Sequence, residues 1–509
     1  MLATVASFGR IGIEGYPMRV EVDVRDGLPQ MDVVGLPDAA VRESRERVRT
    51  AMKNSGFRFP TASITINLAP ADIKKEGPWY DLPMALGILA ASGGIPLPAL
   101  EGVMALGALS LDGSVGAVTG ALPMLLKARE LKVKRALLPA QNARECASLS
   151  GIELLPVESL GQAVGYLTGK GGVQPLATQP YRAQDASVPP EVDMARIRGQ
   201  LSARRALEIA AAGGHNLLLI GTAGSGKTML ARCLPGILPR MTEQEALETT
   251  VIHSVTDGFS GGLMQQRPFS APHHTTSAAA LIGGGRYAMP GEISKAHNGV
   301  LFLDELPEFP RPVLEALRQP MEDGEVTVAR VNARCVYPAR FQLVCAMNPC
   351  PCGNYGSRTR RCRCSPHEVQ RYLSRISGPL LDRIDMVVEM DAVPPEEVFA
   401  DAAPAESSAA VRERVEKARA VQNARYGTLG FSCNARLPAG RLEQLCGATE
   451  PARALLMQCM KSLGLSMRAY TRVLRVARTI ADLAGSVRVE EEHIAEAVSY
   501  RSSNEKYWR

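Results

Sequence analysis

The sequence lacks a continuous hydrophobic segment that suits a membrane span. Residues 82–100 carry no charge over 19 positions, which is close to the length that crosses a bilayer. Three prolines and the Gly93-Gly94 pair interrupt this run. Because proline and glycine disfavour a continuous helix, we expect a core helix up to about Ala91 and then a loop. The sequence therefore predicts a soluble chain with no membrane partner.

A secretory signal is also missing from the first residues (M-L-A-T-V-A-S-F-G-R), and the 11 cysteines are odd in number. Both features argue against a disulfide framework and predict a protein of the reducing cytoplasm. The net charge of +6 is small for 509 residues, so it permits a polyanionic partner without demanding one. A hydrophobic content of 46% is ordinary for a globular chain of about three domains.

What the chain does contain is a glycine-rich turn between a buried strand and a helix. Residues 217–220 are apolar and suit a strand buried on both faces, and residues 227–233 suit the following helix. The turn has the G-x-x-x-x-G-K-T pattern, whose backbone N–H groups point at phosphate oxygens. We predict ATP binding by Gly221, Thr222, Ala223, Gly224, Ser225, Gly226, Lys227 and Thr228. In this pattern, the lysine reaches the terminal phosphates and the threonine hydroxyl holds Mg²⁺.

Two further buried strands end in polar residues that suit the same site. Residues 300–303 lead into Asp304 and Glu305. We predict that Asp304 completes the Mg²⁺ shell and that Glu305 polarises the water that attacks the γ-phosphate. Residues 341–346 lead to Asn348, whose amide can position that water. These residues together predict hydrolysis of ATP.

Arg383 lies just before a fourth apolar strand, residues 386–388. An arginine at this position resembles the finger that a neighbouring subunit inserts at the γ-phosphate, which would require an oligomer. The alternative is a local ion pair with Asp382 or Asp385.

The segments between these strands contain two further features. Residues 323–334 alternate in the manner of a hairpin, with Arg330 near the tip and Arg334 after it. His273 and His274 are adjacent, so their side chains point apart on an extended backbone, and the sequence offers no third ligand nearby. We therefore expect hydrogen bonding or a loop contact from these histidines rather than a metal site.

Four cysteines form two pairs, Cys350-Pro-Cys352 and Cys362-Arg-Cys364, separated by nine residues. Four thiolates in paired format suit tetrahedral Zn²⁺, and we predict a structural zinc site here. C-x-C is less typical of zinc sites than C-x-x-C, and free thiols in a reducing cell are the alternative.

The chain before residue 170 predicts a separate α/β domain. Strands are expected at residues 18–24, 63–68, 135–139 and 152–157, with a helix between Asp38 and Gly56. The segment K-E-G-P-W-Y-D and residues 113–120 resemble the proteolytic domain of Lon-type ATP-dependent proteases. Trp79 stands where those proteases have the nucleophilic serine, and Leu122 stands near the expected lysine. A serine nucleophile needs an adjacent base, so we expect a domain without peptidase activity.

Composition divides the remaining chain into three parts. Residues 171–195 are rich in Pro, Gly and Gln and predict a linker. Residues 196–400 hold the nucleotide motifs and the four cysteines. Residues 405–509 predict a helical domain, with helices at 411–426, 439–446, 451–463, 467–483 and 490–500.

The motifs, in this order, resemble the magnesium-chelatase-like AAA+ proteins and in particular the bacterial ComM/YifB family. The phrases R-P-F-S-A-P-H-H-T and P-G-E-I-S-K-A-H-N-G-V-L-F-L-D-E carry the resemblance together with the Lon-like start. It implies an α/β AAA+ motor core with a helix-2 insertion and a pre-sensor hairpin, followed by a helical lid. It also implies a hexameric ring and an arginine in the lid that senses the γ-phosphate. Arg468 best matches that position, and Arg472 is the alternative.

The same resemblance implies a helicase that drives branch migration of DNA during integration of transforming DNA, with Arg330 and Arg334 contacting the strand. The second hypothesis is a protein-remodelling ATPase similar to the subunit that energises metal insertion in chelatases. Both use the same nucleotide residues, so those residues do not separate the two hypotheses. An active protease, the third hypothesis, is opposed by Trp79 and Leu122.

Overall fold

The computed structural model describes most of the chain. The described residues are 1–183, 192–256, 261–285, 288–330, 333–356, 360–392, 405–427 and 429–508. Among them, no helix is both long enough and apolar enough to cross a membrane.

The first domain is built on one mixed sheet. Its strands are β1 (Leu2–Ile11), β2 (Glu14–Arg25), β3 (Gln30–Val34), β4 (Ser63–Ala69), β5 (Val103–Ala105), β6 (Ala108–Leu109), β7 (Val115–Gly116), β8 (Arg135–Pro139) and β9 (Glu153–Val157). Its helices are α1 (Ala39–Asn54), α2 (Asp81–Ala91), α3 (Ala121–Glu130), α4 (Ala140–Cys146) and α5 (Leu160–Leu167). The strands follow the order β3-β4-β2-β1-β5-β8-β9, and β6 pairs with β7 separately.

The predicted strands and the first helix of this domain are confirmed. In β2 the side chains of Met18, Val20 and Val22 are buried and alternate with more exposed residues, because successive side chains of a strand point to opposite faces. Asp38 caps α1 by accepting a hydrogen bond from the Val41 N–H. Every residue of α2 is buried, so the uncharged run forms a core helix, as expected.

The residues of the Lon-like segment also lie in this core. Trp79 is 6% exposed, and the Arg10 guanidinium lies 5.6 Å from its ring centroid. The ring covers Gly77, where a Cβ would approach it to 2.1 Å, so only glycine fits beneath the tryptophan. Leu122 is buried in α3. The Trp79 indole and the Leu122 side chain therefore stand where Lon-type proteases have the nucleophilic serine and, near the second position, the lysine.

The first part of the predicted linker contacts the first domain through Leu176 and the predicted motor segment, residues 196–400, through Tyr181. The Leu176 N–H donates to the Leu154 carbonyl, and the Tyr181 hydroxyl donates to the Met241 carbonyl. Residues 184–191, and the predicted boundary between 400 and 405, lie outside the described residues. The division of the chain at these points stays a prediction.

The second part of the chain contains a parallel sheet flanked by short helices. Its strands are β10 (Leu217–Gly221), β11 (Phe269–Ser270), β12 (Gly283–Gly284), β13 (Met289–Pro290), β14 (Val300–Leu303), β15 (Glu325–Arg330), β16 (Ala333–Pro338), β17 (Gln342–Met347) and β18 (Met386–Met390). Its helices are α6 (Leu201–Gly213), α7 (Lys227–Arg232), α8 (Leu234–Ile237), α9 (Glu243–Thr256), α10 (Ala278–Ile282), α11 (Glu292–Lys295), α12 (Arg311–Ala316), α13 (Arg318–Asp323), α14 (Pro366–Leu373) and α15 (Gly378–Leu381).

The parallel sheet has the order β11-β14-β17-β10-β18, which brings four predicted strands together. All of its pairs are parallel, so their carboxyl ends share one edge. The phosphate-binding turn follows the strand β10, which lies between β17 and β18. The sequence prediction of an α/β motor core is confirmed by this topology.

Two small hairpins extend from this core. β12 pairs with β13 in the segment between α9 and β14, and β15 pairs with β16 just before β17. The second hairpin was predicted from its alternation. Val326, Val328 and Tyr337 are buried on the face against the core.

The C-terminal helices are α16 (Ser408–Tyr426), α17 (Leu442–Cys446), α18 (Glu450–Ser462), α19 (Met467–Leu483) and α20 (Glu491–Trp508). All five were predicted, but α20 continues beyond the expected end at Tyr500. Its last turn contacts the motor, where the Trp508 indole N–H donates to the Leu373 carbonyl at 3.3 Å. This contact explains the extension, because packing on another element stabilises a helix end that its own sequence does not specify.

Candidate functional site

The phosphate-binding turn is held by its backbone conformation and by one lysine. Gly224 and Gly226 have φ values of +78° and +89°, which favour glycine strongly. The Lys227 ammonium donates to the Gly221 carbonyl at 2.8 Å and to the Thr222 carbonyl at 2.9 Å. Burial lowers the pKa of Lys227, and the nearby Asp304 carboxylate opposes this shift.

The carboxyl edge of the sheet brings together four of the predicted catalytic residues, Lys227, Asp304, Glu305 and Asn348. The Lys227 ammonium lies 3.2 Å from Asn348 Oδ1. The Thr228 hydroxyl donates to Asp304 Oδ2 at 2.7 Å, and Asp304 Oδ1 accepts from the Glu305 N–H at 2.9 Å. Three neighbouring strands, β10, β14 and β17, thus contribute to one constellation. A hydroxyl beside a carboxylate provides the hard oxygen ligands that Mg²⁺ prefers, so these residues fit the ion.

Glu305 contacts a residue whose role the sequence did not predict. Its backbone has a φ of +53°, an uncommon conformation outside glycine, and its side chain is 55% exposed. His274 Nδ1 lies 3.4 Å from Glu305 Oε2. His273 instead hydrogen-bonds Thr275 Oγ1 at 2.9 Å, which confirms the expected loop contact. The sequence did not predict the contact of His274 with Glu305 because it did not predict the pairing of β11 with β14. This pairing places the loop after β11 beside Glu305.

Arg383 lies at the opposite edge of the sheet. β18 pairs with β10 from Met386 to Met390, and Arg383 precedes that strand. At a rise of about 3.3 Å per residue, this strand alone places Arg383 about 15 Å or more from the phosphate-binding turn of its own chain. The guanidinium donates to the Pro379 carbonyl at 2.7 Å and pairs with the Glu322 carboxylate. Neither Asp382 nor Asp385, the partners considered from sequence, forms that pair.

The two candidate sensor arginines of α19 contact those aspartates instead. Arg468 is 77% exposed, and its Nη1 lies 3.3 Å from Asp382 Oδ2. Arg472 Nη1 lies 2.5 Å from Asp385 Oδ1. Both contacts are beside Arg383 in sequence, so the structure groups all three arginines at the amino edge of the sheet.

Asp385 is buried and joins the sheet to the helical domain through Asn216 and Arg472. Burial would raise its pKa, but the Arg472 guanidinium and His215 more than offset that effect, so its pKa lies well below its usual range. Its Oδ2 accepts from the Asn216 N–H at 2.9 Å. His215 Nε2 in turn lies 2.7 Å from Thr479 Oγ1 on α19.

The four predicted zinc ligands converge. Their sulfur atoms all lie within 4.8 Å of one another. The measured pairs are 3.4 Å for Cys350 and Cys352, 3.8 Å for Cys350 and Cys362, and 3.6 Å for Cys352 and Cys362. A tetrahedral Zn²⁺ with Zn–S bonds of about 2.3 Å requires sulfur separations of about 3.8 Å, so the cluster fits this ion.

The cysteine cluster also borders the nucleotide site. Cys350 follows Asn348 by two residues. A Cβ added to Gly353 would lie 3.8 Å from the Ala223 backbone nitrogen and 3.9 Å from Asn348 Cγ, so this loop lies close to both residues. The loop that contains the cluster is therefore next to the phosphate-binding turn and Asn348.

The hairpin β15–β16 carries the residues predicted to contact DNA. Arg334 pairs with Ala329 in the ladder and has an exposed side chain. Arg330 ends β15, and its side chain lies outside the described residues, as do residues 331–332 at the turn.

The fold and the constellation of Lys227, Thr228, Asp304, Glu305 and Asn348 define a P-loop ATPase of the AAA+ class. Family models agree over most of the chain. Residues 193–398 match "Magnesium chelatase, subunit ChlI", residues 20–142 match "Subunit ChlI of Mg-chelatase", and residues 405–501 match "Magnesium chelatase, subunit ChlI C-terminal".

Relatives extend over the whole length. The chain is 44% identical to "Competence protein ComM" of Haemophilus influenzae over 98% of this chain and 97% of that protein. It is 43% identical to "Uncharacterized protein YifB" of Salmonella typhimurium over the same shares. A "Magnesium-chelatase 67 kDa subunit" of Chlorobaculum parvum is 32% identical over 26% of this chain and 19% of that protein. The chain belongs to the ComM/YifB family of magnesium-chelatase-like AAA+ proteins.

Proposed function

We propose that this protein is an ATP-driven DNA motor of the cytoplasm. It forms a homo-hexameric ring that promotes branch migration, and so the integration of DNA by homologous recombination during natural transformation. The similarity to a protein named for competence supports this cellular role.

The observation that carries the proposal is the continuity between the hairpin and the nucleotide site. β17 ends at Met347, directly before Asn348, and begins at Gln342. Only residues 339–341 separate it from the hairpin β15–β16. A shift of β17 on hydrolysis therefore moves the hairpin. The exposed Arg334 suits a phosphate of the DNA backbone, because arginine binds phosphate with two parallel hydrogen bonds.

The chain's own residues have defined roles in hydrolysis. Thr228 and Asp304 would hold Mg²⁺, which would neutralise charge that develops on the phosphates. Lys227 binds the terminal phosphates. Glu305 leaves His274 and accepts a proton from the attacking water, while Asn348 orients that water.

The arginines at the amino edge belong to the neighbouring protomer's site. Arg383 is too far from the phosphate-binding turn of its own chain, so it completes the site of the next protomer. Arg468 and Arg472 are on the same edge. Arg468 is the more exposed of the two, which leaves it free to reach across the interface as a sensor.

We also propose that Cys350, Cys352, Cys362 and Cys364 hold a structural Zn²⁺. The ion would stabilise the loop next to Asn348 and the phosphate-binding turn. The first domain, by contrast, serves as a binding or scaffold domain without peptidase activity.

A protein-remodelling ATPase is the second candidate, and the family models named for magnesium chelatase favour it. Arg334→Ala separates the two candidates. In a DNA motor, this change lowers the stimulation of ATP turnover by single-stranded DNA, and Arg488→Ala, an exposed control elsewhere, does not. If DNA fails to stimulate the unmodified protein even at low salt, where phosphate contacts are strongest, the DNA-motor proposal is refuted.

The most direct experiment is electron microscopy of a Glu305→Gln variant with ATP and forked DNA. This change keeps the shape of the side chain but removes the base, so the ring is held in the ATP-bound state. We expect a ring with DNA density in the central channel, against the hairpins. Density for DNA only outside the ring would favour the remodelling ATPase.

A further inference from the structure

A cleft of about 530 Å³ lies at the amino edge of the parallel sheet. Its floor contains Gly299 and Gln342, at the starts of β14 and β17, and its wall contains residues of α16 and of the loop that follows it. The phosphate-binding turn is at the other edge. The size of the cleft is typical of a small-ligand site, and the cleft shares no residue with the ATPase constellation.

Two arginines of this cleft are neutralised by carboxylates. Arg267 Nη2 lies 2.9 Å from Glu245 Oε2, and Arg340 Nη2 lies 2.6 Å from Glu248 Oε2. A hydrogen bond from His297 is the main reason that the pKa of Glu248 is lowered to about 2. Burial would raise the pKa of Glu245, but the Arg267 guanidinium more than offsets that effect, so both carboxylates are ionised at neutral pH.

Arg419 and Arg436 line the same cleft, and Arg419 is attracted by the Glu245 carboxylate, which the ion pair with Arg267 already engages. Among the described residues, no carboxylate oxygen is within 4.0 Å of either guanidinium. Arg419 donates to the Ala211 carbonyl at 2.8 Å, but its buried Nε has no hydrogen-bond partner. A buried donor without an acceptor costs stability, so a phosphate oxygen that accepted a hydrogen bond from this Nε would recover that cost. Arg436 is exposed.

Two aromatic rings complete the lining. Phe341 and Phe431 border the cleft and are each partly exposed. Aromatic rings beside unpaired guanidinium groups are the combination with which proteins hold nucleotides, since the base stacks on a ring and the phosphate binds arginine.

We propose that this cleft is a second nucleotide-binding site, in which Arg419 and Arg436 bind a phosphate and Phe341 or Phe431 stacks on the base. Its ligand is either a free nucleotide or one nucleotide of a single strand. These share the same chemistry, and the site itself does not depend on turnover at Lys227.

The test is equilibrium binding of two fluorescent probes, adenosine 5′-monophosphate and a short oligothymidylate, by anisotropy. The proteins are the unmodified chain, Arg419→Gln, Arg436→Gln and the control Arg488→Gln, which removes the same charge from an exposed position outside the cleft. Each cleft variant should weaken binding about tenfold, because one charged contact to a phosphate is lost, and the control should leave it unchanged. Lys227→Ala is measured in parallel so that binding at the phosphate-binding turn is identified separately.

The two probes distinguish a free nucleotide from a nucleotide of a single strand. Weaker binding of both probes indicates a site for free nucleotides, and weaker binding of the oligothymidylate alone indicates a strand. Arg436 is exposed, and among the described residues its side chain donates no hydrogen bond and forms no ion pair, so we expect Arg436→Gln to fold even if Arg419→Gln does not. Equal affinities of Arg436→Gln and Arg488→Gln for both probes would overturn the proposal, whether or not the protein proves to be a DNA motor.

Discussion

Mixing two inactive variants tests the placement of Arg383 in the neighbouring protomer's site. Lys227→Ala destroys the phosphate-binding turn but keeps Arg383, and Arg383→Ala does the reverse. Arg383 precedes β18, whereas Lys227 follows β10, and the two strands run parallel side by side. The two residues of one chain are therefore at opposite edges of the sheet, about 15 Å or more apart.

The expected rate follows from this separation. Arg383→Ala alone should lower ATP turnover by about 10³-fold or more, because an arginine finger neutralises transition-state charge. In an equal mixture assembled from dissociated protomers, half supply an intact turn and half supply an intact finger. About one quarter of the interfaces then combine the two in a head-to-tail ring, so about one quarter of the unmodified rate returns. Coupling between sites would lower this fraction.

The assay is phosphate release, measured before and after the variants are mixed under dissociating conditions and reassembled. A mixture of Lys227→Ala with Asp304→Ala is the matched control, since both changes damage the same half of the interface and no complete site forms. A Lys227→Ala and Arg383→Ala mixture that is no faster than the sum of its components would refute the composite site. So would a chain that remains monomeric with ATP and turns over normally without Arg383.

Three further predictions follow from single contacts. His274→Ala should change DNA-independent ATP turnover by no more than about fivefold, because a partly exposed ion pair contributes under about 1 kcal/mol. Glu305→Gln should lower the same turnover at least about 100-fold, because the general base is lost. Phosphate release measures both rates. Asp385→Asn should destabilise the protein by about 3–5 kcal/mol at pH 7, since Arg472 is left buried without its partner. The pKa of Asp385 is lowered in the folded state, so its contribution to stability is present above about pH 4 and is lost as the pH falls further. Urea unfolding should therefore show that the difference in unfolding free energy between the two proteins shrinks below that pH. Elemental analysis of the unmodified protein should find about one zinc ion per chain, and Cys352→Ser should lose that zinc and unfold at a lower temperature. Equal metal contents of the two proteins would contradict this assignment.

The pattern of consecutive residues was sufficient to predict many of the strands, helices and nucleotide-site residues. The turn at Lys227 and the strands that lead to Asp304 and Asn348 were predicted because each is specified by consecutive residues. Buried parallel strands are continuous apolar runs, and their polar ends must meet at one edge. The helices of the C-terminal domain were recognisable for the same reason, from their repeat of apolar positions.

Contacts between distant segments were beyond that reasoning. His274 reaches Glu305 only because β11 lies beside β14, and a two-residue strand leaves little trace in the sequence. The pairing of Arg383 with Glu322 joins residues 61 positions apart. Asp385 seemed available to Arg383 from its proximity in sequence, but the structure gives it to Arg472. Sequence proximity does not show which of several neighbouring charges a distant helix will engage.

The parallel sheet links events at its two edges because each of its central strands has a functional group at both ends. β10 runs from Asn216, which binds Asp385, to the phosphate-binding turn. β17 runs from the base of the hairpin to Asn348. A buried strand is paired on both sides and does not bend independently, so a displacement at the γ-phosphate is transmitted along it rather than absorbed. The same strand shift would move both the hairpin that we propose contacts DNA and the edge that we propose completes the next protomer's site, so one hydrolysis event could advance DNA and prepare the neighbouring site together.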